Sequence, residues 1–237
     1  MAKTSRRAAS AAHASSLGRA GRGRVAPAEG GQRAIHQQVL RSFATTGGQP
    51  SAADLEETAA RHATTASTAL AALHAEDFLQ LADGQIRAAY PFSAVPTAHL
   101  VDIDGGPRLY AMCAIDALGV AAMLDVPVTI TSADPRTGDP VTVTVAAGGR
   151  TATWHPPSAV VFCGRQVSSD RRGACAGGPG IPAAADVTCG YVNFFTSAAT
   201  ATAWSGAHPQ AAGEVLDQAA ALRLGSDIFG PLLSQSG

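Results

Sequence analysis

RLYAMCAIDALGVAAML, residues 108–124, is apolar along most of its length and reads as a mostly apolar helix. On a helix, two residues three positions apart lie about 60° from one another around the axis, so Cys113 and Asp116 share a face. Leu109, Met112 and Leu118 crowd the same region, which sets both polar groups at the edge of an apolar pocket. Desolvation raises the pKa of a carboxylate placed there and makes it a proton donor near neutral pH. A buried free cysteine is more often a small hydrophobe than a reagent, so the pair alone does not establish chemistry.

The flanking segments set the fold class. AHLVDIDG (98–105) reads as a strand ending in a turn. VPVTITSA (126–133) and DPVTVTVAAGG (139–149) alternate with period two and are joined by the turn DPRTG (134–138). SAVVFCG (158–164) reads as a buried strand, residues 165–186 as a Gly/Pro-rich loop, and CGYVNFFTS (189–197) as another strand. Helices are expected around ATATAWSGAH (199–208) and GEVLDQAAALRLGSDIFGPLL (213–233). Helices among hairpin-like strands predict an α+β domain over residues 93–237, with a mixed, largely antiparallel sheet.

Upstream, Ile35, Val39, Leu40 and Phe43 recur at helical spacing up to Gly47 and Gly48. Ser51 can cap a second helix whose first turns carry Asp54, Glu56 and Glu57. A third helix ends near His74, before a hairpin turned at Asp83-Gly84. Three helices and a hairpin are the order of a winged helix-turn-helix, expected here over residues 33–92. Residues 62–90 offer only Arg87 and a few His to reach a phosphate or base edge, so the module is read as a packing partner and not as a nucleic-acid reader.

The net charge of -1 hides an asymmetry. Residues 1–33 carry seven Lys or Arg against Glu29 alone, while the other 204 residues sum to about −7. The start of the chain, residues 1–32, is rich in Gly, Ser, Ala and Arg and reads as a disordered basic tail. Its Arg pair is not followed by the apolar run of an export signal, and no stretch approaches a membrane span, which predicts a cytoplasmic protein. Cys113, Cys163, Cys175 and Cys189 form no CxxC pair, so any cysteine chemistry must be assembled by the fold.

VDIDGGPRLYAMCAIDALGVAAML (101–124), VTITSADPRTGDPVTVTV (128–145), CGYVNFFTSAATATAW (189–204) and LGSDIFGPLL (224–233) together resemble the alkylmercury lyases, the organomercurial lyases of bacterial mercury resistance. The resemblance spans roughly residues 33–234, and its most specific parts are the Cys-x-x-Asp stretch and the Cys before an Asn-Phe-Phe strand. It implies that Cys113 and Cys189 bind mercury and that Asp116 is the acid that accompanies them. Where some members carry further cysteines, this chain has Asp134 and Gly190, and the resemblance assigns no role to Cys163 or Cys175.

The implied chemistry suits these residue types. Mercury(II) is soft and prefers thiolates, so two cysteines brought together trap R-Hg⁺ selectively. Thiolate donation makes the mercury-bound carbon basic, and Asp116 can take a thiol proton and return it to carbon. No cofactor is implied; an external low-molecular-weight thiol is needed to release Hg(II), with that thiol or a mercuric reductase as the recipient. Met112, Phe194, Phe195 and Trp204 are candidate walls for the organic group. The alternatives are a metal- or mercury-responsive winged-helix transcriptional regulator that uses the same cysteines without turnover, and a thiol redox protein.

Overall fold

In the computed structural model, Ile35, Val39, Leu40 and Phe43 are side chains that helix α1 (Gly31–Thr46) buries. The structure describes residues 26–27, 29–166 and 183–234; most of the basic tail and Cys175 lie outside them. Helix α1 ends where Gly47 adopts a φ of 78°, a left-handed conformation that glycine takes without strain. Ser51 caps α2 (Ala52–Ala60) by accepting from the Asp54 amide at 3.2 Å, and Thr65 caps α3 (Ala66–Ala75) by the same bond to Thr68. The expected hairpin follows as β1 (Leu79–Ala82) and β2 (Gln85–Ala89), with φ of 51° at Asp83 and 75° at Gly84, as a tight two-residue turn requires.

Six further strands, β3 (Phe92–Ser93), β4 (His99–Ile103), β5 (Arg108–Ala111), β6 (Val128–Ala133), β7 (Pro140–Val145) and β8 (Ala152–His155), extend this hairpin into one eight-stranded sheet. Its order is β1-β2-β3-β5-β4-β6-β7-β8. The expected boundary at residues 92/93 therefore falls within β3, a strand of a continuous sheet. A second sheet has the order β10-β9-β11, from β9 (Val160–Gln166), β10 (Val192–Phe195) and β11 (Ala211–Leu216). Among the described residues every strand pairing is antiparallel, so the α+β class holds without the parallel component of a mixed sheet.

Two expectations change at their edges. Residues 108–111 form β5 and not the first turn of a helix; α4 (Ala114–Leu124) begins only after Cys113. Leu109 and Ala111 are buried while Arg108 is exposed, a period of two hidden within an apolar run that masks periodicity. Likewise, residues 213–216 belong to β11, and the C-terminal helix begins after Asp217, which caps it through the Ala220 amide at 2.7 Å.

Helix α4 is buried on all sides, between the large sheet and the C-terminal helix, as its composition requires. Two short helices, α5 (Ala184–Val187) and α6 (Ala198–Ala207), precede that last one, α7 (Gln218–Phe229). Gly119 of α4 and Gly225 of α7 let the two backbones touch: a Cβ on Gly119 would lie 2.7 Å from the Gly225 carbonyl oxygen, and one on Gly225 would lie 2.9 Å from the Gly119 nitrogen. No helix among the described residues is long and apolar enough to cross a membrane.

Asp134 is 1% exposed and ties the two sheets together. Its Oδ1 accepts from the Arg136 amide at 2.9 Å, closing the β6–β7 turn, and its Oδ2 accepts from both the amide and the hydroxyl of Thr196 at 2.9 Å. Burial pushes this carboxyl up, but the bonds from the Thr196 and Arg136 amides and from the Thr200 and Thr196 hydroxyls outweigh it and hold its pKa below the usual aspartate value. A depressed pKa of this kind contributes stability that is present above the unfolded-state value, about 4, and disappears as pH falls through the folded-state value. Asp134→Asn is expected to lose about 2 kcal/mol of stability at neutral pH and to flatten the acid limb of a plot of melting temperature against pH.

Candidate active site

Cys113 stands between β5 and α4 in an extended conformation, φ −155° and ψ 178°, and serves as the helix N-cap. Its sulfur accepts from the backbone amide of Asp116 at 3.4 Å, where a hydroxyl or carboxylate more often sits. The two residues meet through this cap and not, as expected, as neighbours on one helical face. The spacing of three is common to both arrangements, which is why the sequence identifies the pair but not its cause.

Cys189 arrives from a segment 73 residues further along the chain than Asp116. Helix α5 is followed by a 3-10 turn, Cys189–Tyr191, and two backbone bonds bracket the cysteine: the Thr188 amide donates to Ala184 O at 2.8 Å and the Tyr191 amide to Thr188 O at 2.9 Å. The predicted strand thus starts at Val192, three residues later than expected. This turn aims the Cys189 thiol at Asp116 Oδ2, at a long 4.0 Å. The two sulfurs and a carboxylate oxygen of Asp116 all lie within 4.8 Å of one another. Cys113, Asp116 and Cys189 are 1%, 3% and 4% exposed.

Burial pushes the Cys113 thiol well above the ordinary thiol range, and the neighbouring Cys189 thiol and Asp116 carboxylate push it the same way. At neutral pH Cys113 therefore holds its proton. The cluster offers two soft donors and one hard one at a single point, a set that favours a thiophilic ion over magnesium or calcium. With Asp116 beside both sulfurs, a proton displaced from sulfur has an acceptor within the cluster.

Cys163, on β9, faces the same core as the cluster, opposite Val192 and Glu214, but it is not one of the converging donors. Burial raises its pKa to about 12, with the charges of Glu214 and Asp116 adding to the effect. Cys113, Cys163 and Cys189 are all free thiols.

The proposed walls divide. Met112 is packed against the core that holds the cluster, and Phe194 lies within it, 5.7 Å from the ring of His99 and 5.8 Å from that of Trp154. Phe195 and Trp204 instead join Phe162 in a separate cluster. Adjacent residues of a strand point to opposite faces, so Phe194 and Phe195 cannot line one pocket.

His99 is a residue that sequence reasoning missed. It pairs with Ala111, two residues before Cys113, is 2% exposed, and its Nδ1 lies 3.0 Å from Ser132 Oγ. Burial lowers its pKa to about 4, so it is neutral at physiological pH. A single histidine in a strand has no sequence signal that separates this role from exposure.

Comparison with known proteins places the chain in a family. The alkylmercury lyase family model matches residues 92–230, which span β3 to the end of α7 and include all three clustered residues. The chain belongs to the alkylmercury lyase family. It is 33% identical over 113 residues to an alkylmercury lyase of Pseudomonas putida, covering 48% of this chain and 47% of that one. Against alkylmercury lyases of Staphylococcus epidermidis and Streptomyces lividans it is 32% identical over 148 residues and 33% over 140, covering 62% and 59% of this chain and 61% and 57% of theirs. The chain thus spans about half to three-fifths of the length of these relatives. In fold it is similar to the crystal structure of the mercury-bound form of MerB2, with a TM-score of 0.65 and 24% identity over 88% of this chain and 93% of that one.

Because Asp116 contributes to the high pKa of Cys113, replacing it by Asn is expected to bring the alkaline titration of that thiol down in pH. Thiolate absorbance followed against pH, with Cys113→Ser as the reference for the other thiols, measures the shift.

Proposed function

We propose that this protein cleaves the carbon–mercury bond of organomercurials by protonolysis, releasing a hydrocarbon and leaving Hg(II) on Cys113 and Cys189. One observation carries the proposal: in a chain of the alkylmercury lyase family, two buried sulfurs from distant segments and one carboxylate converge within 4.8 Å.

Mercury is the substrate ion here. R-Hg⁺ meets one thiol; a sulfur–mercury bond forms as the thiol proton passes to the Asp116 carboxylate. The second sulfur then bonds to mercury, and its proton passes to Asp116 as that residue hands the first proton to carbon. Added electron density weakens the carbon–mercury bond, whose electron pair goes to carbon, and Asp116 delivers a proton there. Of the two thiol protons, one ends in the hydrocarbon and one on the carboxyl, so R-Hg⁺ and two thiols with a carboxylate become R-H, a neutral S–Hg–S bridge and a carboxylic acid. Placing the acid against both sulfurs lets one group receive and return the proton without water.

The site needs no resident cofactor on this reading. An external low-molecular-weight thiol removes Hg(II) by exchange, and a mercuric reductase is a further candidate recipient. Met112 and Phe194 supply the apolar side against which the organic group rests. Residues 33–92 serve as a winged-helix-like packing module: the first sheet continues from its hairpin into the catalytic half, which suits support for the site better than reading of a groove in DNA. A regulator built on the same cysteines has no observation in its favour.

Purified protein given phenylmercury and excess small thiol is expected to release benzene, detected in the headspace. Cys113→Ser and Cys189→Ser should abolish release, and Asp116→Asn should slow it by about 10²- to 10⁴-fold while mercury still binds. Tight mercury binding by the wild type without any hydrocarbon would rule out the lyase, and full protonolysis by Asp116→Asn would remove the proton-shuttle role.

A further inference from the structure

The segment that delivers Cys189 is fastened to the N-terminal module by two buried side chains far away in sequence. Asp77 lies between α3 and β1, 1% exposed, with a φ of 63°. Its Oδ2 accepts from the Ala184 amide at 3.0 Å, and its Oδ1 accepts from Gln80 Nε2 at 2.6 Å and from the Tyr90 hydroxyl at 3.2 Å. Tyr90, wholly buried between β2 and β3, uses the same hydroxyl to accept from the Ala185 amide at 2.9 Å. The first two amides of α5 are thus both held by residues of the other module.

We infer that Asp77 and Tyr90 are positioning residues for Cys189. The inference rests on the reading of Cys189 as a mercury-binding residue, and it gives the N-terminal module a part in the reaction. The path from latch to sulfur is short and fully hydrogen-bonded. Ala184 is fixed through its amide by Asp77; its carbonyl accepts from Thr188, whose carbonyl accepts from Tyr191, and Cys189 lies between those two. A single four-residue turn cannot hold itself in water, since the first turn of a helix costs more conformational freedom than its hydrogen bonds return. Its orientation must come from outside. The Cys189 contact to Asp116 is already at 4.0 Å, so a small rotation of α5 separates the second sulfur from the other two groups. Capture of mercury by one cysteine would survive such a rotation; closure of the two-sulfur bridge would not.

Two variants cut the latch from opposite sides. Tyr90→Phe keeps the ring and removes the hydroxyl. Ala184→Pro deletes the amide that Asp77 accepts from; position 184 is the first of its helix, where proline is tolerated, and Ala183 at φ −67° and ψ 153° already has the conformation that a following proline requires. In the full-length protein each variant is expected to melt cooperatively, to lower kcat for phenylmercury by about tenfold or more with KM changed less than about threefold, and to weaken the two-sulfur Hg(II) complex by about tenfold. That complex is read from its charge-transfer absorbance during competition with a small dithiol. Wild-type kcat and wild-type bridging in the folded variants would overturn the inference, as would failure of both variants to fold, which would make the latch a structural bond only. If the wild type binds Hg(II) but releases no hydrocarbon, the lyase reading falls and the bridging measurement alone decides the positioning role.

Discussion

A sulfur atom occupies the N-cap of the buried helix α4, and the rest of the site depends on that placement. Because Cys113 Sγ accepts from the Asp116 amide, one turn of backbone places the thiol beside the residue that carries the carboxylate. The helix is itself held on all sides, by the sheet on one face and by the glycine-mediated contact with α7 on another. Two of the three groups are therefore preorganised before any ligand arrives, the condition under which a reacting group costs least to align.

The third group is held differently. Cys189 belongs to a segment with little secondary structure of its own, fixed by bonds reaching in from other elements: Asp77 and Tyr90 ahead of it, Asp134 behind it at Thr196. Each is a buried polar side chain satisfied by backbone amides, and each draws a distant stretch of chain into register. Burial then acts on the assembled cluster. It suppresses ionisation of Cys113 at rest, so the proton remains available to the chemistry proposed for Asp116.

Periodicity accounts for much of what could be read without coordinates. The helices of residues 31–75, the Asp83-Gly84 hairpin and the β6–β7 pair follow from spacing, caps and turn residues, all local properties. An apolar run masks its own period, so residues 108–111 read as helix although they form β5, and residues 213–216, the end of β11, read as part of the helix after them. Alternation along a strand does not say which face meets the site: Phe195 points away from Phe194 into another cluster, which Trp204 joins from α6.

The sequence by itself determined which residues could do chemistry: a cysteine and an aspartate three apart, a second cysteine before an apolar strand, and a pattern of both that resembles one enzyme family. Only the tertiary structure decided that these groups meet, that a cap and not a helical face joins the first two, and that side chains at positions 77, 90 and 134 hold the path of the third. The reason is that spacing and periodicity act over a few residues, whereas buried polar groups find partners wherever the folded chain brings an amide within reach, and nothing in the local pattern records that address.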